Sequence, residues 1–269
     1  LSPPEATAEE VEVLRAELGL DKPVLVQYVN YMWDILHGDF GVSWFTKQPV
    51  IDEIVNRMPY TLSLGVLSTL IASIISIPLG TLTAVKHNTP ADYIVTFLCL
   101  LFAAMPGFWL AIILQIYLSL QTGWFPAYGM GTMRHFVLPV IAVCAASVAT
   151  NIRSTRTWVL DVIRSDYVRT ARAKGASEVV VIMKHALRNA LLPIVTGFGS
   201  AFAGVLGGSV VIETVFAIPG ISTYLTSAVK TRDMPIIMGC ILVISVFVGV
   251  VNLLVDLMYS VIDPRVKYE

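Results

Sequence analysis

The sequence predicts an all-α, polytopic membrane protein, and three observations lead there. The 269 residues are 56% hydrophobic and only 14% charged, with mean hydropathy +0.75, whereas soluble domains carry about 25% charged residues. Five segments are apolar enough, and long enough, to cross a bilayer, which takes about 20 residues. Between the third and fourth lies a long basic connection. The formal net charge of −1 says little about partners, because the charges are sorted by segment, and no strongly basic face marks a nucleic-acid binder.

Residues 1–58 are polar and form a domain of their own, with ten acidic residues against four basic ones (Arg15, Lys22, Lys47, Arg57). Thr7-Ala8-Glu9-Glu10 has the form of a capping box, and Val11, Leu14 and Leu18 follow at helical spacing up to Gly19. Residues 24–36 read as an amphipathic helix carrying Tyr28, Tyr31 and Trp33 and ending near Gly38. A third short helix, 50–57, leads to Pro59. Aromatic residues suit a membrane interface, so this segment reads as a helical cap on the membrane surface.

Residues 59–269 form the membrane domain. Its spans are 61–85 (interrupted by Pro78 and Gly80), 93–120 (with Pro106-Gly107 in the middle), 136 to about 151 or a little beyond, 191–216 (rich in glycine) and 236–262. Cys99, Cys144 and Cys240 fall inside apolar runs with no paired spacing and read as small core residues. His37, His87, His135 and His185 are scattered, and no metal-ligand spacing appears.

Lys and Arg set the orientation. The connection at 152–190 carries Arg153, Arg156, Arg164, Arg169, Arg172, Lys174, Lys184 and Arg188. It is therefore cytoplasmic, as are the 86–92 turn and the carboxyl-terminal tail. The cap, the 121–134 loop and the 213–235 loop lie outside. The chain begins at Leu1 with no signal-peptide pattern, and an external amino terminus needs a carrier. A sixth span preceding Leu1 is the expectation, and a full-length gene with no apolar segment upstream would overturn it.

A basic cytoplasmic loop has a plain explanation in the charge bias of membrane insertion. This one runs to about forty residues, where connectors take about 4–6, and it has helical order. Asp166 is placed to cap a helix over 167–174, Gly175 to end it, and Ser177 to cap a second helix with Val180, Met183 and Leu187 on one side. A short helix projected from a membrane suits docking into another protein's groove.

The run Tyr167-Val-Arg-Thr-Ala-Arg-Ala-Lys-Gly175, followed by His185-Ala-Leu-Arg-Asn-Ala and Leu192-Pro193, resembles the cytoplasmic "EAA" loop of ABC importer permeases, in the dipeptide, oligopeptide and nickel branch. Ala171 and Gly175 match the general Glu-Ala-Ala-x-x-x-Gly pattern, while Arg169 and Thr170 stand where Glu and Ala would, a departure shared by that branch. The likeness extends to 18–23 with Gln27-Tyr28, 37–43, 211–216, 219–221, 232–235, 252–256 and 263–265, essentially the whole chain.

The resemblance implies the type I ABC importer permease fold. It also implies a second homologous permease subunit, two ATP-binding subunits and an extracytoplasmic solute-binding protein as partners, in the bacterial inner membrane. ATP and Mg would sit on the ATPases, with no cofactor on this chain. In agreement, the sequence has no G-x-x-x-x-G-K-[ST], no H-E-x-x-H and no G-x-S-x-G. The coupling element would be Asp166, Tyr167, Arg169, Thr170, Ala171, Arg172, Ala173, Lys174, Gly175 and Ser177. Tyr167, Ala171, Ala173 and Gly175 would supply fit, and Arg169, Arg172 and Lys174 polar contacts or merely solvated charge.

Met105, Pro106 and Glu213 are candidates for the translocation pathway. For the mid-membrane breaker Pro106, packing is the open alternative; for Glu213 it is tying down the loop that follows. Asp256, near the inner end of the last span, reads equally as a substrate contact or as a partner for an interfacial cation. Gly204 and Gly208 head a small-residue face suited to close helix packing, including a permease–permease seam. Short peptides are the favoured cargo and nickel or a nickel chelate the alternative. Hydropathy alone also leaves a channel or a secondary transporter open, although neither explains the long docking loop.

Overall fold

The computed structural model describes residues 8–17, 19 and 21–262. Thr7 of the proposed capping box, Leu18 and the 263–265 segment lie outside them. Every regular element among the described residues is helical, apart from one isolated antiparallel bridge between Val42 and Pro49. The chain groups into two compact units: residues up to Arg57 with Leu225–Leu242, and Met58–Tyr224 with the segment from Val243 onward.

The first unit contains α1 (Ala8–Glu17) and α2 (Val24–Leu36). A turn follows in which the Ser43 hydroxyl accepts the backbone N–H groups of Phe45 and Thr46 and donates to Asp233 Oδ2 at 2.6 Å. The Trp44 N–H also reaches Asp233 Oδ1, and both Ser43 and Asp233 are buried. The sequence places these partners 190 positions apart, so helical periodicity could not pair 38–49 with 225–242. Gly239 completes the contact, since a Cβ there would come within 2.9 Å of Val50 Cγ1.

Helix α3 (Val50–Val85) is one continuous element of 36 residues, where the sequence suggested a short helix stopping before Pro59 and a separate span. Both Pro59 and Pro78 sit inside it. A membrane helix tolerates the lost hydrogen bond because neighbouring helices and side chains re-satisfy the freed backbone. The second span is different. Helix α4 (Pro90–Ala104) stops, Met105 takes an extended backbone (φ −79°, ψ 125°), and α5 (Gly107–Leu114) leaves at 93°. The residue before a proline is pushed out of the helical region, which is why the break falls at Met105. α5 then widens into a π-helical stretch, π1 (Gln115–Gln121).

α6 (Arg134–Ile163) runs past the expected end near residue 151. After it come α7 (Asp166–Ala173), the single turn α8 (Glu178–Val180), a second π stretch, π2 (Val181–Leu187), and α9 (Arg188–Gly208). The predicted span at 191–216 is interrupted: α9 ends at Gly208, and a separate α10 (Val210–Val215) carries Glu213. α11 (Ile221–Thr231) and α12 (Met234–Ile262) complete the chain. Among the described residues four helices are long and apolar enough to cross a membrane, or five where the bent pair α4 with α5–π1 counts as one broken span.

In the second unit α6 is the hub. It contributes to an apolar cluster with Leu64, Ala111, Ile212 and Phe216, to one with Ala84, Ala190 and Ile194, and to one with Cys99. Gly80 lets α3 pass so close to it that an added Cβ would lie 2.6 Å from Thr155 Cβ and 2.8 Å from the Ile152 carbonyl oxygen. Cys99, Cys144 and Cys240 are all buried and unpaired, in keeping with their reading as core residues. Large apolar side chains of α4 and α12, such as Phe97, Ile94, Val246 and Leu253, point outward, as lipid-facing surfaces do.

Candidate functional site

The 164–190 segment is built by two tight turns. α6 passes into α7 without slack: Ser165 N–H bonds the Val162 carbonyl, and Val168 and Arg169 N–H groups bond the Ser165 carbonyl. Ser165, not Asp166, occupies the N-cap position of α7 (φ −73°, ψ 153°). Its hydroxyl is spent on the Val162 carbonyl at 2.6 Å, and Asp166 is the first helical residue with its side chain in solvent. A carboxylate there still suits the positive end of the helix dipole. At the other end Gly175 has φ +81°. Its N–H bonds the Arg172 carbonyl, and the Ala176 N–H bonds the Ala171 carbonyl. This is the paired-bond, left-handed helix stop that favours glycine.

α7 buries one side only. Val168 is fully buried and Ala171 half-buried, while Tyr167, Arg169, Thr170, Arg172, Ala173, Lys174, Gly175 and Ser177 are exposed. Arg172 reaches across the turn to Glu178 through three contacts of 2.7–3.2 Å, and that hydrogen bond raises the guanidinium above its usual value. The Arg169–Asp166 contact is 3.9 Å between exposed groups, too loose to matter much. Ser177 holds the N-cap position of α8 without a side-chain cap bond. Of the predicted side Val180, Met183 and Leu187, only Leu187 packs inward, half-buried against the cluster of Ala84, Val159, Ala190 and Ile194. Val181, Ala186 and Ala190 face inward, and Val180 and Met183 face out. The π stretch explains the shift, because i→i+5 bonding puts residues five apart on one side.

The candidate pathway residues separate. The cleft of about 330 Å³ between α5, α6 and α9 is lined by Gly107, Ala142, Ala146, Ser147, Gly204 and Gly208, among others. At Gly204, Gly207 and Gly208 no described residue of another element lies within 4 Å of where a Cβ would go, so the glycines face open space. Met105 and Pro106 form the bend next to Gly107. Glu213 is elsewhere in character. It is fully buried, accepts the Thr61 and Ser209 hydroxyls at 2.8 Å on Oε1 and the Thr223 N–H at 3.0 Å on Oε2. Thr61 in turn accepts the Ile221 N–H, and Gly220 is pressed against the Glu213 carboxylate. Of its two readings, this conformation supports the tie that holds the 216–223 loop. Asp256 is an exposed residue of α12.

One group escaped sequence reasoning. Asp92, only 2% exposed, forms a forked ion pair with Arg156, 64 positions away, through two 2.8 Å contacts. The only hint was a carboxylate opening an apolar helix. Among the described residues no cluster of His, Cys, Asp or Glu is arranged to hold a metal ion.

The short outward-facing helix α7, stopped at Gly175, thus sits on a bundle of helices long and apolar enough to cross a membrane. The chain belongs to the family of binding-protein-dependent transport system inner membrane components. That family matches residues 76–268, and its amino-terminal companion matches residues 4–65. It is 40% identical over 276 residues to the oligopeptide transport system permease protein AppB of Bacillus subtilis (strain 168), covering 98% of this chain and 87% of that one. It is likewise 40% identical over 266 residues to the glutathione transport system permease protein GsiC of Escherichia coli (strain K12), covering 99% and 87%. Among solved structures, an inward-facing MetNI methionine ABC transporter chain aligns with TM-score 0.68 at 16% identity, over 78% of this chain and 96% of that one. At that identity the likeness shows the fold, which is that of ABC importer permeases. The chain is thus a multi-pass permease subunit, and the family works with ATPase and binding-protein partners.

Proposed function

We propose that this chain moves short peptides across the bacterial cytoplasmic membrane, as one of two related permeases mounted on two ATP-binding subunits and fed by an extracytoplasmic solute-binding protein. The observation that carries the coupling part is the exposed helix α7, stopped at Gly175 and anchored by Val168. It presents Tyr167, Arg169 and Lys174 outward. Beside it in sequence the apolar Val179, Val180 and Met183 are exposed, a surface that suits a protein partner more than water. The cargo follows from the relatives: permeases named for oligopeptides and for glutathione, itself a short peptide, share about two residues in five with this chain.

In this reading ATP and Mg are held by the partner subunits and this chain binds no cofactor. Residues 152–190 and the carboxyl terminus face the cytoplasm, and the segment up to residue 58 lies outside. ATP binding closes the ATPase pair, and α7, seated in its groove, carries that movement into the spans as a rigid-body rotation. Gly204 and Gly208 offer a close-packing seam to the second permease.

The test is reconstitution of the complete transporter in proteoliposomes with its binding protein, measuring ATP-dependent uptake of labelled di- to pentapeptides. Uptake of nickel or of neither cargo would refute the peptide reading. Replacing Gly175 by valine, which cannot hold φ +81° without strain, is expected to abolish both uptake and transport-stimulated ATP hydrolysis. Survival of both would remove α7 as the coupling element.

A further inference from the structure

Asp92 opens α4, and its carboxylate is almost completely enclosed. Oδ1 accepts Arg156 Nε at 2.8 Å, and Oδ2 accepts Arg156 Nη2 at 2.8 Å and the Asn88 N–H at 3.0 Å. The same Nη2 lies 2.8 Å from His87 Nδ1, which is also 3.4 Å from Asp92 Oδ2. The planar guanidinium fork thus fastens the 86–89 turn and the start of α4 to a single residue of α6. One position earlier, Thr155 is the residue against which Gly80 lets α3 pack without a side chain. Consecutive residues of α6 therefore hold both α3 and α4.

Ten residues further along, α6 becomes α7 through the slack-free junction at Ser165. Val168 is fully buried, so α7 cannot slide over the bundle independently. The cluster of Ala84, Val159, Ala190 and Ile194 joins the same ends of α3, α6 and α9, so apolar packing already holds this end of the unit together. A buried ion pair adds little net stability over apolar packing of similar volume. What a bidentate pair adds is a fixed direction and distance between two elements.

We propose that Asp92 and Arg156 are positioning residues for energy coupling: they make the 86–92 turn and α4 move as one body with the coupling helix α7. The inference rests on the reading of α7 as the element that meets the ATPase. The cluster around Cys99, Ala149 and Ile152 already packs α4 on α6; the fork adds a fixed direction to that contact and transmits both pull and push. His87 steadies the guanidinium from its open side.

The experiment is the complete transporter in proteoliposomes, with Asp92→Asn and Arg156→Lys made separately. The first keeps the shape and removes the charge; the second keeps the charge and removes the fork. The readout is peptide imported per ATP hydrolysed, at measured subunit stoichiometry. A merely structural defect lowers the amount of assembled transporter and leaves this ratio alone. The ratio is expected to fall roughly threefold or more in each variant, within the range by which residues linking two sites change their coupling. A ratio equal to the parent's, with import and hydrolysis falling together, overturns the inference. So does failure of both variants to assemble, which makes the pair a folding element. A parent transporter that imports no peptide defeats the proposed function instead, and is recognised before any variant is made.

Discussion

At the scale of single residues, Glu213 decides most. Both of its carboxylate oxygens are engaged, by two hydroxyls and one backbone N–H, with no exposed surface. Glutamine offers one accepting oxygen and one amino group, so Glu213→Gln sets a donor against either the Thr223 N–H or the two hydroxyls. An unmet buried donor costs about 1–3 kcal/mol. The expected outcome is a lower unfolding temperature of the purified protein and faster protease cleavage within 216–221, where Ala217 already holds φ 51°. Unchanged values for both would show that the carboxylate is dispensable to the loop. The sequence made the cost of this charge legible, because Glu213 stands in an apolar run. Its partner Thr61 was not legible, being 152 positions away. Gly175 is the opposite case. A glycine after a short basic run foretells a left-handed helix stop from local geometry alone, and the stop is there.

At the scale of elements, two kinds of glycine contact emerge that composition cannot separate. Gly80 and Gly197 sit where a Cβ would collide with Thr155 and Trp158, whereas Gly204 and Gly208 face open space. Gly80→Ala overpacks the α3–α6 contact, at a cost of about 1–3 kcal/mol, and is expected to lower the amount of folded subunit in the membrane. Gly204→Ala is expected to leave folding intact and to weaken association with the proposed second permease, read by co-purification of the two. The reverse pattern would mean that the open side is not a seam. Helix existence was legible because apolar runs of bilayer length leave little choice. Helix ends were less so: Pro59 failed to end α3 while Pro106 ended α4, and the two prolines look alike to any local rule. The π stretch Val181–Leu187 moved the buried side by a residue, a register change that 3.6-residue periodicity cannot express.

For the whole molecule, the one strongly basic connection, 152–190, underlies the proposed orientation, and chemistry can test it. Cys99, Cys144 and Cys240 are buried, so the native background for a membrane-impermeant thiol reagent is low. A cysteine at exposed Ser177 is expected to label only in inside-out vesicles, and one at exposed Thr122 only in right-side-out cells. The opposite pattern would invert the proposed topology. The apolar spans and the place of the basic loop between them were legible from hydropathy and charge. The grouping of 38–57 with 225–242 was not, because it rests on the Asp233 contacts and on the missing side chain at Gly239, both far apart in the chain.

Helix α6 enters three apolar clusters of the second unit, holds the forked pair to α4 and ends in the turn that starts α7. Nothing in that unit can open one cluster fully while α6 stays in place for the others. Its central amides should therefore exchange with deuterium only through global unfolding, while α11 and the segment after Gly175 exchange through local openings of much lower free energy. The permease is then a body with one slow, indivisible spine and a quick edge at the end where the motor is proposed to push.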